Sequence, residues 1–194
     1  MAAKITIDFK IETEGSWTDI ERLIDNVSAK LHKAKIEAGV LPPEAERTYV
    51  KPNGKDGPTV AQVARWNEFG TVLEVDGVER EHVPPRPFMR RASQHGRRAV
   101  ITEMSVATRI AWRRDVLAGK PDGYDKALRA VAKTMARQIH RQLQTTMQWA
   151  TPNSQRWARK KGHGHQLHHT EQLAYSISGV SYSPAGKELS RDKV

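Results

Sequence analysis

WNEFGTVLEVDGVEREHVPPRPFMRRA, residues 66–92, is the stretch that decides the fold. An apolar run ends in Asn-Glu-Phe-Gly-Thr, a charged loop follows, and Pro-Pro-Arg-Pro-Phe brings the chain back. Gly70 permits a sharp turn, and the prolines fix φ on the return, so Pro87 suits the first position of a helix. Between these two corners, residues 72–82 are predicted to protrude as a hairpin with its Asp-Gly dipeptide at the tip.

The two corners are predicted to form the base of this arm. Glu68 and Arg86 lie one at each corner, where an ion pair between them would hold the arm closed. Phe69 places an apolar side chain at the base of the turn. Neither corner carries a residue pattern typical of a catalytic site. The predicted arm-base residues are Asn67, Glu68, Phe69, Gly70, Thr71, Pro84, Arg86, Pro87 and Phe88.

Composition indicates a soluble chain with a strong positive charge. The 194 residues carry a formal net charge of +10 and no cysteine, which excludes disulfides and thiolate zinc sites. No apolar run approaches the about 20 residues that span a bilayer, and charges interrupt the start, so neither a membrane partner nor a signal peptide is expected. Between Arg86 and Arg114, eight arginines face a single glutamate. This balance favours polyanionic partners, either nucleic acid or an acidic protein face.

Periodicity predicts a strand and a helix in the first 40 residues. KITIDFKIE alternates apolar and polar positions, as a half-buried strand does. From Ser16 the period changes to a helical stripe that Gly39 is suited to end. Residues 48–70 are predicted as a hairpin around Pro-Asn-Gly-Lys-Asp-Gly-Pro, although Val60, Val63 and Ala64 also suit a helical turn.

Two long helices are predicted after Pro87. The first has mixed apolar spacing with an irregularity at Gly96, and GKPDG ends it. The second carries an apolar stripe at Tyr124, Leu128, Val131, Met135, Ile139, Leu143 and Met147. The fold is therefore predicted to be α+β, with two to three long amphipathic helices on a small, mostly antiparallel sheet.

The amino-acid composition changes in the C-terminal quarter of the chain. Residues 151–171 are basic and rich in glycine and histidine, which predicts a long loop, and QLAYSISGVSYS predicts a short strand. The domain is predicted to span 1–180, with 181–194 as a flexible or partner-ordered tail.

No cofactor, metal site or enzymatic activity is expected. The histidines at 163, 165, 168 and 169 lie among glycines and lack helical ligand spacing, so a solvated loop is the preferred interpretation over a metal site. Nucleophile elbows and phosphate-binding glycine loops are absent from the sequence.

The basic rows have two interpretations. Either they are the solvent-exposed faces of amphipathic helices, or they contact DNA or an acidic partner without sequence specificity. The candidate contacts are Arg90, Arg91, Arg97, Arg98, Arg129, Lys133, Arg137 and Arg141. Trp66, Trp149 and Trp157 stand near basic residues and are candidate interface anchors.

VAQVARWNEFGT followed by VPPRPFMRRA resembles a signature of tailed-phage neck and tail-completion proteins, the minor tail or head–tail joining family of lambda-like siphophages. Members show an apolar strand ending in Asn/His-Glu-Phe-Gly-Thr, a variable loop, and Ile-Pro-x-Arg-Pro-Phe opening a long helix. A second family block follows the second helix. Here it matches at Ser154, Arg159, Lys160, Leu167, Thr170, Leu173, Ser176 and Ile177. Glu171 stands where members have glycine, which alters the turn if that position takes a positive φ.

The resemblance implies a virion structural protein at the head–tail junction, assembled in the host cytoplasm. It would be a ring subunit that joins the tail to the connector. Its partners would be copies of itself, the adjoining head-closure and tail terminator or tube proteins, and the packaged DNA. The implied C-terminal interface loop contains Ser154, Trp157, Arg159, Lys160, Leu167, Thr170 and Leu173. The alternatives are a DNA-binding module without sequence specificity, shown by salt-dependent binding, and a metal enzyme using the histidine loop.

Overall fold

The structure is a computed structural model, and it describes residues 34–50, 56–75, 78–114, 123–152, 154–155, 158–159 and 171–194. These residues form helices and antiparallel strands, which confirms the predicted α+β class. The predicted N-terminal strand, most of the helix begun at Ser16 and the four loop histidines lie outside the described residues.

The described strands form one three-stranded sheet and two hairpins. Strands β1 (Lys35–Val40), β6 (Ile177–Tyr182) and β7 (Glu188–Lys193) form an antiparallel sheet in the order β1-β6-β7. The two antiparallel hairpins pair β2 (Thr48–Val50) with β3 (Asp56–Thr59), and β4 (Thr71–Val75) with β5 (Val78–Val83).

The described helices are α1 (Val60–Phe69), α2 (Phe88–Trp112), α3 (Gly123–Gln144) and the single turn α4 (Gln172–Tyr175). Short 3-10 turns occupy Glu44–Glu46 and Thr146–Gln148.

Helix α1 begins at a capping box. The Thr59 side chain accepts a hydrogen bond from the backbone N–H of Gln62 at 3.2 Å, and the Gln62 side chain accepts one from the N–H of Thr59 at 2.9 Å. This reciprocal pair satisfies two backbone donors that the first turn leaves open. The helix ends because Gly70 takes a φ of 76°.

The described residues divide into two compact units, each built from separate segments. The first contains residues 34–38 and the described parts of Arg98–Met135 and Gly179–Asp192. Its core is a cluster of small apolar side chains from α2 and α3 with larger ones packed against it. The cluster is Val100, Ala107, Ala111, Ala127 and Val131, with Ile36, Met104 and Met135 at its edge.

The second unit contains the described parts of Gly39–Arg97 and Ala136–Ser178, with Lys193–Val194. Its most deeply buried large side chains are Phe88, Leu143, Ile177 and Val60. Helices α2 and α3 approach closely at Gly96, where a Cβ atom would lie 2.7 Å from Cγ of Gln138. The glycine therefore serves helix packing, and α2 is continuous through the predicted irregularity.

Two predictions about elements before the arm were wrong. Residues 35–40, predicted as the end of a helix, form β1, and Gly39 lies within this strand. Ile36 and Val40 favour a strand, and Pro42-Pro43 opposes continuation of a helix. The second wrong prediction is the hairpin over residues 48–70. Asp56–Thr59 does pair with β2, but the residues after it, predicted as a strand, form α1, which begins at a capping box.

The apolar stripe of α3 is largely confirmed. Its residues from Tyr124 to Leu143 are buried or half-buried, but Met147 lies in the 3-10 turn after the helix and is 55% exposed. In α2, where the apolar spacing is mixed, Ile101 and Ile110 are both about half exposed.

The C-terminal segment contains regular structure where a tail was predicted. Residues 188–193 form β7 beside β6, and the Ser181 and Ser190 hydroxyls hydrogen-bond at 2.7 Å. The predicted boundary at residue 180 falls within β6, and the first part of the predicted strand is α4.

Candidate functional site

The carboxylate of Glu68 is the centre of the arm base. Glu68 ends the buried face of α1 and is 4% exposed. It accepts hydrogen bonds from the backbone N–H of Met89 at 2.9 Å and of Arg90 at 3.0 Å, both in the first turn of α2. Arg90 Nε donates to the same carboxylate at 3.0 Å. One side chain thus caps the start of α2 and fixes α1 against it.

The predicted ion pair between Glu68 and Arg86 is wrong, because Glu68 pairs with Arg90. Arg90 also donates from Nη2 to the main-chain oxygen of Glu68 at 2.7 Å. Arg86 is 7% exposed, and its Nε donates to the carbonyl of Thr151 at 3.2 Å. Burial lowers the pKa of Arg86. Spacing along the sequence could not distinguish two arginines only four residues apart.

Backbone contacts close the base on its other side. The N–H of Arg86 donates to the carbonyl of Asn67 at 2.5 Å. Gly70 is tightly enclosed, since a Cβ there would lie 2.8 Å from the carbonyl oxygen of Val83 and 3.1 Å from Pro85. The two corners therefore meet, as the sequence predicts. Pro87 precedes α2 instead of occupying its first position, and its carbonyl accepts from Arg91 N–H at 2.9 Å.

The segment between the corners is an antiparallel hairpin, as predicted. Its register pairs Thr71 with Val83 and Val75 with Val78, and an irregularity follows Thr71. The expected tip at 76–77 lies outside the described residues. Among the described strands, β4 and β5 pair only with each other, so each leaves one backbone edge unpaired by a strand.

Large apolar side chains are exposed at the arm base. Trp66, Phe69 and Val72 are 42%, 51% and 57% exposed. Phe69, predicted to place an apolar group at the turn, is half exposed, whereas Phe88 is fully buried. The Arg90 guanidinium lies 5.1 Å from the centre of the Phe69 ring, a cation–π contact at the surface. Exposed tryptophan and phenylalanine beside arginine are typical of interface anchors.

The implied C-terminal interface loop is described only in part. Ser154 and Arg159 are exposed and Leu173 is buried, whereas Trp157, Lys160, Leu167 and Thr170 lie outside the described residues. Glu171, which replaces the family's glycine, takes a left-handed φ of 56°. Its carboxylate accepts a hydrogen bond from the Tyr175 hydroxyl at 3.0 Å, which raises the pKa of Tyr175.

The candidate basic contacts fall into two groups. Some are engaged within the chain. Arg90 binds Glu68, Arg129 binds Asp192 through Nε at 2.9 Å and Nη2 at 2.8 Å, and Arg91 stacks on Trp149 at 5.0 Å. The remaining candidates have no acidic partner among the described residues. These are Arg97, Arg98, Lys133, Arg137 and Arg141.

No group of three or more histidine or acidic side chains among the described residues could hold a metal ion. Among the described helices, none has the length and apolar content needed to cross a lipid bilayer.

Comparison with known proteins returned no match to a family model, to a curated protein or to a solved structure.

Proposed function

We propose that the protein is a structural subunit of a tailed-phage virion. It forms a ring at the head–tail junction that completes the tail or neck and joins it to the connector. Its role is assembly, in the host cytoplasm, with copies of itself and with the adjoining head-closure and tail proteins. The proposal requires no catalysed reaction and no cofactor.

The observation that carries the proposal is the clamp at the arm base. Glu68 caps α2 and binds Arg90, while Arg86 N–H binds the carbonyl of Asn67, so both ends of the hairpin β4–β5 are fixed to helices. A hairpin with a fixed base can present its unpaired edges in one direction. Closed rings need two different complementary faces on each subunit, and such a hairpin supplies one of them.

The exposed apolar side chains beside the clamp support the same role. Trp66, Phe69 and Val72 lie on α1 and β4, directly at the foot of the hairpin. Burying them against another subunit would contribute apolar contact next to the hairpin. A surface of this kind suits association better than it suits chemistry on a small substrate.

Self-association of the full chain tests the proposal. We expect purified protein to form closed rings, seen by negative-stain microscopy and by sedimentation velocity. The variant Trp66→Ser/Phe69→Ser should shift the distribution toward monomer. A matched control, Met147→Ser/Tyr175→Ser, changes two other exposed side chains and should assemble as the wild type does. A wild-type chain that is monomeric at every concentration and absent from phage particles would refute the proposal.

A second candidate function is DNA binding without sequence specificity. The observation in its favour is the net charge of +10, together with a set of exposed arginines that have no acidic partner in the part of the chain that the structure describes. Binding of duplex DNA by monomeric protein should then weaken steeply with salt, because each neutralised phosphate releases counterions. Binding that requires the assembled ring would instead favour the virion role.

A further inference from the structure

Helix α2 exposes branched aliphatic side chains within the first compact unit. Ile101, Val106 and Ile110 are 51%, 44% and 49% exposed. The same stretch of helix gives Val100 and Ala107 to the buried core cluster, so the helix has a core side and an outward side. Single exposed aliphatic residues are common on protein surfaces. Three of them between positions 101 and 110 of one helix form a patch that indicates an interaction surface.

A row of polar side chains runs along the middle of this outward side. With about 3.6 residues per turn, positions 98, 102, 105 and 109 fall in one row opposite the core cluster. One exposed aliphatic side chain lies on one flank of the row, and two lie on the other. The row is exposed throughout, and it consists of Arg98, Thr102, Ser105 and Arg109.

The charge of the outward side is positive. Residues 98–113 contain three arginines and one acidic residue, Glu103, which is half-buried. Arg98 and Arg109 both lie in the polar row, and eleven residues of helix place them about 16 Å apart along the axis. A guanidinium group binds a carboxylate through two parallel hydrogen bonds. The face therefore suits a partner with apolar side chains between carboxylates.

Charge and apolar character together select the kind of partner. The same face of a second copy would set arginine against arginine, which is unfavourable. The apolar surface at the arm base has exposed arginines beside it, Arg65 and Arg90, so it does not supply the opposite charge either. DNA phosphates would pair with the arginines and leave the aliphatic side chains uncovered. We infer that the outward face of α2 binds a different protein, through an acidic surface with apolar side chains at its centre. This inference goes beyond the proposed ring function and does not depend on it.

Binding of a synthetic peptide to the full chain tests the inference. The probe is a fluorescent amphipathic helical peptide with leucine along one face and glutamate on both sides of that stripe. A comparison peptide has lysine in place of glutamate. We expect the glutamate peptide to bind at least about tenfold more tightly than the lysine peptide, measured by fluorescence anisotropy. The variants Val106→Ser/Ile110→Ser and Arg98→Glu/Arg109→Glu should each weaken binding of the glutamate peptide at least about tenfold.

The control is Arg137→Glu/Arg141→Glu, which makes the same change of charge at two exposed arginines of α3. It should weaken peptide binding by no more than about threefold, because salt screens charges outside the contact. Circular dichroism should show all variants folded, since every substituted side chain lies at the surface. A control that loses as much affinity as Arg98→Glu/Arg109→Glu, or a lysine peptide that binds as well as the glutamate peptide, would overturn the inference.

Two further outcomes identify other occupants of the face. If Val106→Ser/Ile110→Ser keeps its affinity for the peptide and needs more protein to self-associate, the face joins copies of this chain and the inference is wrong. If Arg98→Glu/Arg109→Glu loses binding of duplex DNA and keeps its affinity for the peptide, the arginines contact nucleic acid and the inference is equally wrong. Sedimentation velocity measures ring formation separately. Rings without peptide binding would refute only the α2 contact, and peptide binding without rings would refute only the ring function.

Discussion

Helix α2 follows a run rich in proline, and Pro87 just before it has no side chain that accepts a hydrogen bond. The first-turn donors at Met89 and Arg90 are instead satisfied by Glu68, from a different helix. A carboxylate also complements the positive end of the helix dipole. This arrangement explains why Asn-Glu-Phe-Gly and Pro-Arg-Pro-Phe occur together: the first supplies the cap and the second supplies the helix that needs it.

Replacing the carboxylate tests this explanation. We expect Glu68→Gln to lower the free energy of unfolding by about 1–3 kcal/mol, because one buried acceptor and its charge are lost. Urea denaturation would measure the change. The control Glu46→Gln alters an exposed glutamate with no side-chain partner among the described residues and should change stability by less than about 0.5 kcal/mol. Equal effects of the two substitutions would rule out the capping role.

At the scale of elements, Gly179 sets the distance between β6 and α3. A Cβ at this position would overlap the carbonyl of Ala132. Backbone therefore lies on backbone, and no side-chain rotation can make room. This contact is a second role for glycine, distinct from the positive φ of Gly186 in the turn between β6 and β7.

Two substitutions separate these roles. Gly179→Ala should destabilise the protein by about 3 kcal/mol, because strand or helix must move to admit a methyl group. Gly186→Ala has nothing within 4 Å of its new methyl and should cost about 1 kcal/mol, from the left-handed backbone alone. Thermal and urea unfolding of both variants would measure the difference. A Gly179→Ala variant as stable as Gly186→Ala would show that the close contact is not rigid.

The elements show what the sequence could predict. The arm hairpin and the α3 stripe followed from local turn chemistry and helical periodicity, which act within a few residues. Helix α1 is marked in the sequence by Thr-x-x-Gln at Thr59 and Gln62, but the turn residues just before it favour a hairpin. The partner of Glu68 was not predictable, because Arg86 and Arg90 differ only in how the folded chain directs them.

At the scale of the whole molecule, the net charge is +10, so the acidic side chains that offset this charge are important for stability. Among the described residues, five carboxylates form ion pairs with basic side chains, at Glu37, Glu44, Glu68, Glu188 and Asp192. Hydrogen bonds from Lys35, Lys193 and Arg191 hold the pKa values of Glu37, Glu44 and Glu188 below the ordinary glutamate value. Protonating these groups removes three ion pairs and raises the net positive charge at the same time.

Acid stability follows from these lowered pKa values. A carboxylate whose pKa is lower in the folded state stabilises that state above its unfolded pKa, of about 4.3, and the stabilisation is lost as pH falls through the folded pKa. The free energy of unfolding should therefore decline as pH drops below about 4.3. Glu44→Gln should be less stable than the wild type at pH 7 and should converge with it in acid, where Glu44 is protonated. Urea denaturation from pH 7 to pH 2.5 would test this, with Glu46→Gln expected to follow the wild type. A constant difference between Glu44→Gln and the wild type at every pH would mean that the Glu44 carboxylate is not held by Lys193.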